Sequence, residues 1–123
     1  MPMLQAFFNR DYPSPVRAEL CAAYTRCIVE ALDAPLAQVR VLLASQPADS
    51  VSVGGRVGEG ISLLHIYLMP GRTDEQKALL IGALTAATSR WGEVPAASVR
   101  VLFHDMPKAN VGIGGITAVA LGR

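Results

Sequence analysis

Apolar residues form runs of strand length and longer stretches of helical spacing, and this order occurs twice along the chain. Apolar runs at residues 3–8, 39–45, 62–69 and 99–105 predict four strands. The segments after the first and the third run place apolar residues on one face of a helix. The pattern therefore predicts two successive strand–helix–strand units.

The two predicted helices have recognisable ends. Ser14 is expected to cap the first helix, with Pro15 at the favoured first helical position, and Pro35 is expected to end it. The second helix begins with TDEQ at residues 73–76, which predicts a capping box with acidic residues in the first turn. Each helix is thus expected to lie between two strands of its own unit.

The second half of the chain repeats the first at an offset of 60 residues. Segments 33–55 and 93–115 carry the same residue at ten of 23 positions without a gap, including VRV and a pair of glycines. So dense a match in one register indicates a duplication. We expect a single domain spanning the whole chain, made of two fused repeats, 1–55 and 62–123, with a glycine-rich linker at 54–61.

Each strand–helix–strand unit predicts a parallel pair of strands with a right-handed crossover. Two such units give an α/β (α+β) fold, in which a four-stranded mixed sheet carries both helices on one face. The strands are apolar on both sides, so the second face needs a cover, and the chain has no third layer. We expect other copies of the chain to supply that cover in a closed homotrimer.

Composition and charge narrow the classes of partner. The chain is 51% apolar and 17% charged with a formal net charge of +1, which does not favour nucleic acid or an anionic membrane. Its apolar runs are far shorter than the roughly 20 residues of a bilayer span. The first residues lack the pattern of a signal peptide, so we expect a soluble, cytoplasmic protein. His65 and His104 lack a partner at ligand spacing, and neither a metal nor another cofactor is expected.

The chain begins Met-Pro, and an initiator methionine is normally removed before proline. Pro2 would then carry a free secondary amine. An ordinary α-amino group has a pKa of about 7.7–8.0, and burial or nearby cations lower the pKa of an amine. A neutral Pro2 amine is therefore a candidate general base, able to take a proton from a substrate and return it.

Further short motifs stand at matching separations in the two halves. The second half carries GRTDEQK at 71–77, SVRV at 98–101 and the turn GIGG at 112–115, and the first carries an initial MP, DAPL at 33–36 and VGG at 53–55. Together these motifs resemble the 4-oxalocrotonate tautomerase family, in a fused, double-length form. The resemblance covers nearly the whole chain. It implies a tautomerase/MIF-like fold, a cofactor-independent isomerase, and active sites to which neighbouring subunits contribute.

The resemblance also implies a set of site residues. Pro2 stands at the family's catalytic proline, and Arg72, in the GR motif, stands at its first arginine. The first repeat has Tyr12 at that position, a candidate hydrogen-bond donor in place of the arginine. The family's second arginine corresponds to Arg40 and Arg100, both expected to bind a substrate carboxylate. The subunit arrangement decides which of these two enters the Pro2 pocket.

The two repeats diverge at other positions of the implied site. The family's pocket-lining aromatic corresponds to Val51 and Val111, and Ser62 stands where the second repeat would have its proline. The first repeat thus keeps the base, and the second keeps the arginine of the GR motif. A pocket formed between the repeats would hold Pro2 and Arg72 together.

The expected reaction is a 1,3- or 1,5-keto–enol proton transfer on a small 2-oxo or enol carboxylate, such as 2-hydroxymuconate or phenylenolpyruvate. A dehalogenase, hydratase or decarboxylase of the same superfamily is an alternative. The water-activating carboxylate of such enzymes would fall at Val53 or Ile113, both apolar, although Asp49 and Asp105 lie near in sequence. The family's pocket-lining aromatic is missing from both repeats, and the arginine of the GR motif is missing from the first. These absences leave a third hypothesis, in which the chain is a non-catalytic assembly or binding protein.

Overall fold

The computed structural model describes every residue from Met1 to Arg123, and its elements repeat in the two halves of the chain. Each half consists of a strand, a long helix, a second strand and a two-stranded hairpin. The first half contains β1 (Met3–Phe8), α1 (Ser14–Leu32), β2 (Arg40–Ser45), β3 (Ser52–Val53) and β4 (Arg56–Val57). The second half contains β5 (Ser62–Leu68), α2 (Asp74–Gly92), β6 (Val99–Asp105), β7 (Gly112–Ile113) and β8 (Ile116–Thr117).

Four strands form one mixed sheet in the order β2-β1-β5-β6. Strands β1 and β2 are parallel, as are β5 and β6, which confirms the predicted strand–helix–strand units. The units join through the antiparallel pair of β1 and β5, in which Met3 lies opposite Tyr67 and Phe8 lies opposite Ser62. The beginning of β1 therefore lies at the same end of the sheet as the last residues of β5.

Alternate residues of the two central strands face the helices, because successive side chains of a strand point to opposite faces. The residues on that face are at most 1% exposed, and both helices pack against them. They are Leu4, Ala6, Phe8, Leu64, Ile66 and Leu68. Full burial of a large aliphatic or aromatic side chain stabilises the fold by roughly 1.5–3 kcal/mol. The single core between sheet and helices confirms the predicted placement of both helices on one face.

A buried hydrogen bond joins the two helices within this core. The hydroxyl of Thr88 donates to the carbonyl of Leu84 at 2.8 Å, so the Tyr24 hydroxyl, 2.7 Å from Thr88 Oγ1, is the donor of that contact. Burial raises the pKa of Tyr24, which keeps its hydroxyl protonated. The bond satisfies a phenol that would otherwise be costly to bury.

The helix ends follow the sequence signals in part. The capping box is confirmed, since Thr73 Oγ1 accepts from the Gln76 backbone at 3.1 Å and the Gln76 side chain accepts from the Thr73 backbone. The cap at Ser14 is wrong, because Pro13 is the capping residue and makes no side-chain bond to the helix. Helix α1 ends before Pro35, where Asp33 adopts a left-handed conformation with φ of 50°.

The sheet face away from the helices is covered by no element of this chain. Leu42 and Leu102 on that face are 47% and 46% exposed, and Phe7 is half-buried. His65 Nδ1 and His104 Nε2 lie 2.8 Å apart on the same face. Apolar area of this kind is typical of a surface that packs against another protein molecule. Neither helix is long and apolar enough to cross a bilayer.

Tyr12 fills the space between the end of β1 and the end of α2. It is 5% exposed, its ring lies edge-on to Phe8 with 5.1 Å between the centroids, and its hydroxyl donates to the Gly92 carbonyl at 2.9 Å. A Cβ atom at residue 92 would lie 2.8 Å from the Tyr12 hydroxyl oxygen. Glycine at residue 92 is therefore needed for this close approach.

Replacing Gly92 with alanine should destabilise the protein, whereas Gly82→Ala in the same helix should not. The Gly92→Ala methyl collides with the buried Tyr12 hydroxyl, a type of overpacking that costs about 1–3 kcal/mol. A Cβ at Gly82 meets no atom within 4 Å, and alanine there should stabilise the helix by about 0.5–1 kcal/mol. Urea unfolding at one protein concentration measures both changes, and equal shifts for the two variants would contradict the packing described here.

Candidate active site

A cavity of about 510 Å³ opens where the beginning of β1 meets the loop after β5. The antiparallel pairing of β1 and β5 creates it, because this pairing sets Met3 beside Tyr67 and the following loop beside the amino terminus. The cavity has apolar walls from Leu68, the last residue of β5, and from Met69 and Pro70 in the loop that follows. The polar residues of its lining are Gln38, Arg72, Gln76, Lys108 and Arg123, together with Met1.

Three cationic side chains line the cavity, and each comes from a different loop or terminus. Arg72 directly precedes the capping residue of α2 and donates to the Leu32 carbonyl at the end of α1. Gly71, with φ of 116°, makes the turn that leads into it, a conformation that strains other residues. Lys108 lies in the turn after β6, and the backbone of Arg123 donates to the Ala118 carbonyl at 2.9 Å. No carboxylate side chain lines this cavity.

Pro2 lies at the amino-terminal end of the sheet, beside this cavity. It is buried, and its carbonyl accepts a hydrogen bond from the Arg40 backbone at 3.1 Å, which ties it to the start of β2. With Met1 attached, the Pro2 nitrogen is an amide, and the free amine belongs to Met1. Burial, then the charge of Arg123, then that of Arg40, lower the pKa of this amine below its ordinary value of 8.0.

The cations of this cavity and its buried amino terminus favour the binding of a small anion beside a neutral amine. Guanidinium and ammonium groups bind carboxylates by charge-assisted hydrogen bonds. The same cations disfavour the protonated form of an amine, which leaves its lone pair free to accept a proton. No group of three or more histidine, cysteine, aspartate or glutamate side chains converges anywhere in the chain.

Comparison with known proteins identifies the family. The family model described as tautomerase enzyme matches residues 63–119. The chain is 46% identical over 61 residues to the 2-hydroxymuconate tautomerase of Stutzerimonas stutzeri, covering 97% of that protein and 50% of this chain. It is 47% identical over 58 residues to the enzyme of the same name from Comamonas testosteroni, covering 92% of it and 47% of this chain.

The chain belongs to the tautomerase family.

Solved structures match this tautomerase over its full length. A crystal structure of a native fused 4-OT is 37% identical with a TM-score of 0.92, covering 98% of this chain and 99% of that one. A fused 4-OT symmetric trimer is 35% identical with a TM-score of 0.93 and the same coverage. The fold is therefore that of a fused, tandem tautomerase, and the protein is an isomerase of this family. Its single-repeat relatives correspond to half of the present chain.

Two of the residues singled out by the sequence lie at the opposite end of the tautomerase sheet from Pro2. Arg100 pairs with Leu63 near the start of β5, and its Nη1 donates to the Ala97 carbonyl at 2.8 Å. Tyr12 lies beyond the end of β1, where it is buried and its hydroxyl donates to the Gly92 carbonyl at the end of helix α2. Within one chain, Tyr12 therefore has a structural hydrogen bond, and neither residue reaches the amino-terminal cavity.

The two predicted pocket valines begin the hairpins of their repeats. Val111 is half-buried and its carbonyl accepts from Ala118 at 2.8 Å, in the hairpin that follows Lys108. Val51 is equally half-buried and accepts from Gly58 at 3.1 Å in the hairpin of the first repeat. Neither side chain lines the amino-terminal cavity of a single chain.

Sequence reasoning missed four polar residues of the cavity, Gln38, Gln76, Lys108 and Arg123. The repeat offered a signal for Lys108, because the equivalent residue of the first half is Ala48 and the cation is therefore peculiar to one repeat. No comparable signal marks Arg123, whose position depends on how the chain folds back after β8. That these four residues line one cavity is seen only when the strand order is known.

Replacing Arg123 with alanine should raise the pKa of the amino-terminal amine of the Met1-containing protein. A nearby guanidinium disfavours the ammonium form, so its removal allows protonation at higher pH. The pH dependence of amine acetylation, followed by mass spectrometry of the terminal peptide, measures this pKa. Arg26→Ala, which removes an exposed cation of helix α1, is the control and should leave the pKa unchanged. An unchanged pKa in the Arg123 variant would contradict the electrostatic account.

Proposed function

We propose that this tautomerase moves a proton within small 2-oxo or enol carboxylates of the 2-hydroxymuconate or phenylenolpyruvate kind. Pro2 acts as the general base after Met1 is removed. The observation that carries the proposal is the charge of the amino-terminal cavity, where Arg72, Lys108 and Arg123 meet the chain's first residue and no acidic side chain is present. Such a cavity attracts anions and favours a neutral amine.

Pro2 is suited to the role of base by its surroundings. It is buried, and the residue before it already experiences the charges of Arg123 and Arg40. Removing Met1 moves the free amine one residue inward, where burial and the same cations continue to oppose protonation. A base whose pKa is near the working pH is the most effective in proton transfer.

The proposed reaction returns the base to its starting state. The neutral Pro2 amine takes a proton from the enol hydroxyl, or from the carbon next to the ketone, and becomes a secondary ammonium. The electron pair of the broken O–H or C–H bond stays in the substrate as an enolate. The ammonium then gives its proton to the carbon at the other end of the conjugated system, in a 1,3 or 1,5 sense, so no further reactant is consumed.

The arginines have separate tasks in this proposal. Arg72 binds a substrate carboxylate through its planar fork, and Arg40, whose backbone bonds to Pro2, stabilises the charge of the enolate oxygen. Lys108 and Arg123 add positive charge that suits a second carboxylate. A dicarboxylate substrate fits this charge, as does the similarity to relatives named 2-hydroxymuconate tautomerase.

We further propose that the protein works as a homotrimer. The open sheet face with Leu42 and Leu102 calls for a cover, and structural neighbours at 35% and 32% identity are fused 4-OT trimers, one symmetric and one asymmetric. A neighbouring subunit is also the route by which Arg100 would approach a Pro2 cavity. The hairpins that begin at Val51 and Val111 are the segments available to line a site between subunits.

Proton transfer is favoured over the hydrolytic alternatives by the kind of ionisable group near Pro2. Activation of water requires a general base, and in the dehalogenases and hydratases that the chain resembles this base is a carboxylate. The ionisable side chains of the cavity are all cationic, and Asp105 outside it is bound to Lys77 at 2.8 Å. Asp49 lies in the turn after β2, at the other end of the sheet from Pro2.

Replacing Arg72 with alanine tests this function directly. We expect kcat/KM for 2-hydroxymuconate to fall by two or more orders of magnitude, about 2.7 kcal/mol or more, because a carboxylate anchor and part of the enolate stabilisation are lost. Arg72→Lys should remain impaired, since an ammonium lacks the bidentate fork although it keeps a donor for the Leu32 carbonyl. Steady-state kinetics on protein trimmed of Met1, as verified by intact mass, gives the measurement.

The matched control for this experiment is Arg26→Ala, which also removes one cation but lies exposed on helix α1. Its kcat/KM should stay within twofold of the unmodified protein. Protein that retains Met1 should show no turnover, because its Pro2 nitrogen is an amide. Full turnover in the Arg72→Ala variant, or in protein that retains Met1, would refute the proposal and would favour another base or a non-catalytic role.

A further inference from the structure

Two histidines meet on the sheet face away from the helices. His65 of β5 and His104 of β6 are both half-buried, and His65 Nδ1 lies 2.8 Å from His104 Nε2. They are the two histidines of the whole sequence. Neither lines the amino-terminal cavity, so the proton transfer proposed above makes no use of them.

Neighbouring side chains hold the two imidazoles in place. The Tyr67 ring stacks on His104, with 4.7 Å between the centroids and 17° between the planes, and its hydroxyl donates to Gln5 Oε1 at 2.9 Å. Phe7 meets the His65 ring edge-on, with 5.9 Å between the centroids. Aromatic contacts of this kind favour one orientation of each ring. The short distance between the two ring nitrogens is thus maintained from both strands.

The hydrogen bond between the two rings depends on their protonation. A neutral imidazole has one donor and one acceptor, whereas an imidazolium has two donors and no acceptor. One added proton can be held between the two rings, but a second leaves no acceptor and places two like charges in contact. An ordinary histidine has a pKa of about 6.5, so this change belongs to mildly acidic conditions.

The charged groups on the same face do not stabilise an imidazolium. The four strands place Arg40, opposite Met3, and Arg100, opposite Leu63, on this face, and both are cations. Tyr67 is the other ionisable group there. The nearest acid in sequence, Asp105, lies on the helix side of β6, where it pairs with Lys77 at 2.8 Å. The strands therefore provide no carboxylate to balance a protonated histidine.

Assembly increases the cost of that charge. The homotrimer proposed above covers this face, which carries the exposed side chains of Leu42 and Leu102. A charge that is removed from water without a partner is strongly unfavourable. Protonation of the pair is consequently easier in a separated chain than in an assembled one.

We propose that the pair of His65 and His104 is a pH-sensitive contact that opposes assembly of the trimer when it is protonated. The neutral pair keeps its hydrogen bond and is buried between subunits, so its contribution to assembly is complete above a pH of about 6.5. It is lost as the pH falls and the separated chains take up protons that the trimer excludes. The proposal rests on the homotrimer, but not on Pro2 as the base.

Fluorescence-detected sedimentation of the full chain over a range of protein concentrations, at pH 7.5 and at pH 5.5, tests this proposal. Exclusion of one proton weakens the assembly of each chain about tenfold for each pH unit below about 6.5. The concentration at which half of the trimer has dissociated should therefore rise at least tenfold between the two pH values. Circular dichroism at both pH values verifies that the chain remains folded.

The decisive variant is His65→Gln combined with His104→Gln. It leaves the chain without histidine but keeps neutral side chains that can bond to each other. Its half-dissociation concentration should change less than twofold between pH 7.5 and pH 5.5. Tyr67→Phe is the matched control, because it removes the hydroxyl bonded to Gln5 and keeps both imidazoles. It should retain the tenfold rise.

A second measurement does not depend on how the variants fold. NMR signals of the two imidazoles in the unmodified protein report their protonation, which should accompany the loss of the trimer as the pH is lowered. Two fully protonated rings in an intact trimer would overturn the proposal. So would an unchanged half-dissociation concentration in the unmodified protein, or an equal rise in the variant without histidine. A chain that forms no trimer even at pH 7.5 would contradict the homotrimer itself, whatever its turnover of 2-hydroxymuconate.

Discussion

The antiparallel pairing of β1 with β5 is the contact on which the rest of the molecule depends. It joins two parallel strand–helix–strand units into one sheet and one core, and it sets Met3 opposite Tyr67. The start of the first repeat thereby meets the loop that carries Arg72 from the second. The cavity at this junction is lined by residues of both repeats, so neither repeat could form it alone.

Because β1 and β5 are antiparallel, the fold has two such junctions, one at each end of the sheet. The two junctions contain different residues. One retains a buried proline, a cation-rich lining and an amine whose pKa is lowered by burial and by Arg123. At the other, serine replaces proline, and Tyr12 packs into the core where the equivalent residue is Arg72. Duplication thus allowed one site to keep a charge pattern suited to proton transfer, while the other was free to change.

The sequence predicted most of the fold, because its signals are local. The strand runs and the capping box at Thr73 depend on residues close together in the chain, and the repeat at an offset of 60 residues indicates that the second unit copies the first. The positions of Lys108 and Arg123 at the cavity could not be predicted in this way, since only the strand order brings these residues to the amino terminus. Arg40 and Arg100 occupy equivalent VRV motifs but lie at opposite ends of the sheet. Arg40 pairs with the beginning of β1 and Arg100 with the beginning of β5, and these two strands are antiparallel.

The central claim is that one chain supplies both Pro2 and Arg72 to a site across its own repeat junction. Trimers that contain both Pro2→Ala and Arg72→Ala chains test it most directly, when they are co-expressed with different affinity tags and purified through both. The account predicts turnover of 2-hydroxymuconate no greater than the average of the two single-variant proteins, because no chain carries both residues. Recovery of a substantial fraction of the unmodified protein's turnover would contradict it, since it would mean that the two residues meet between subunits.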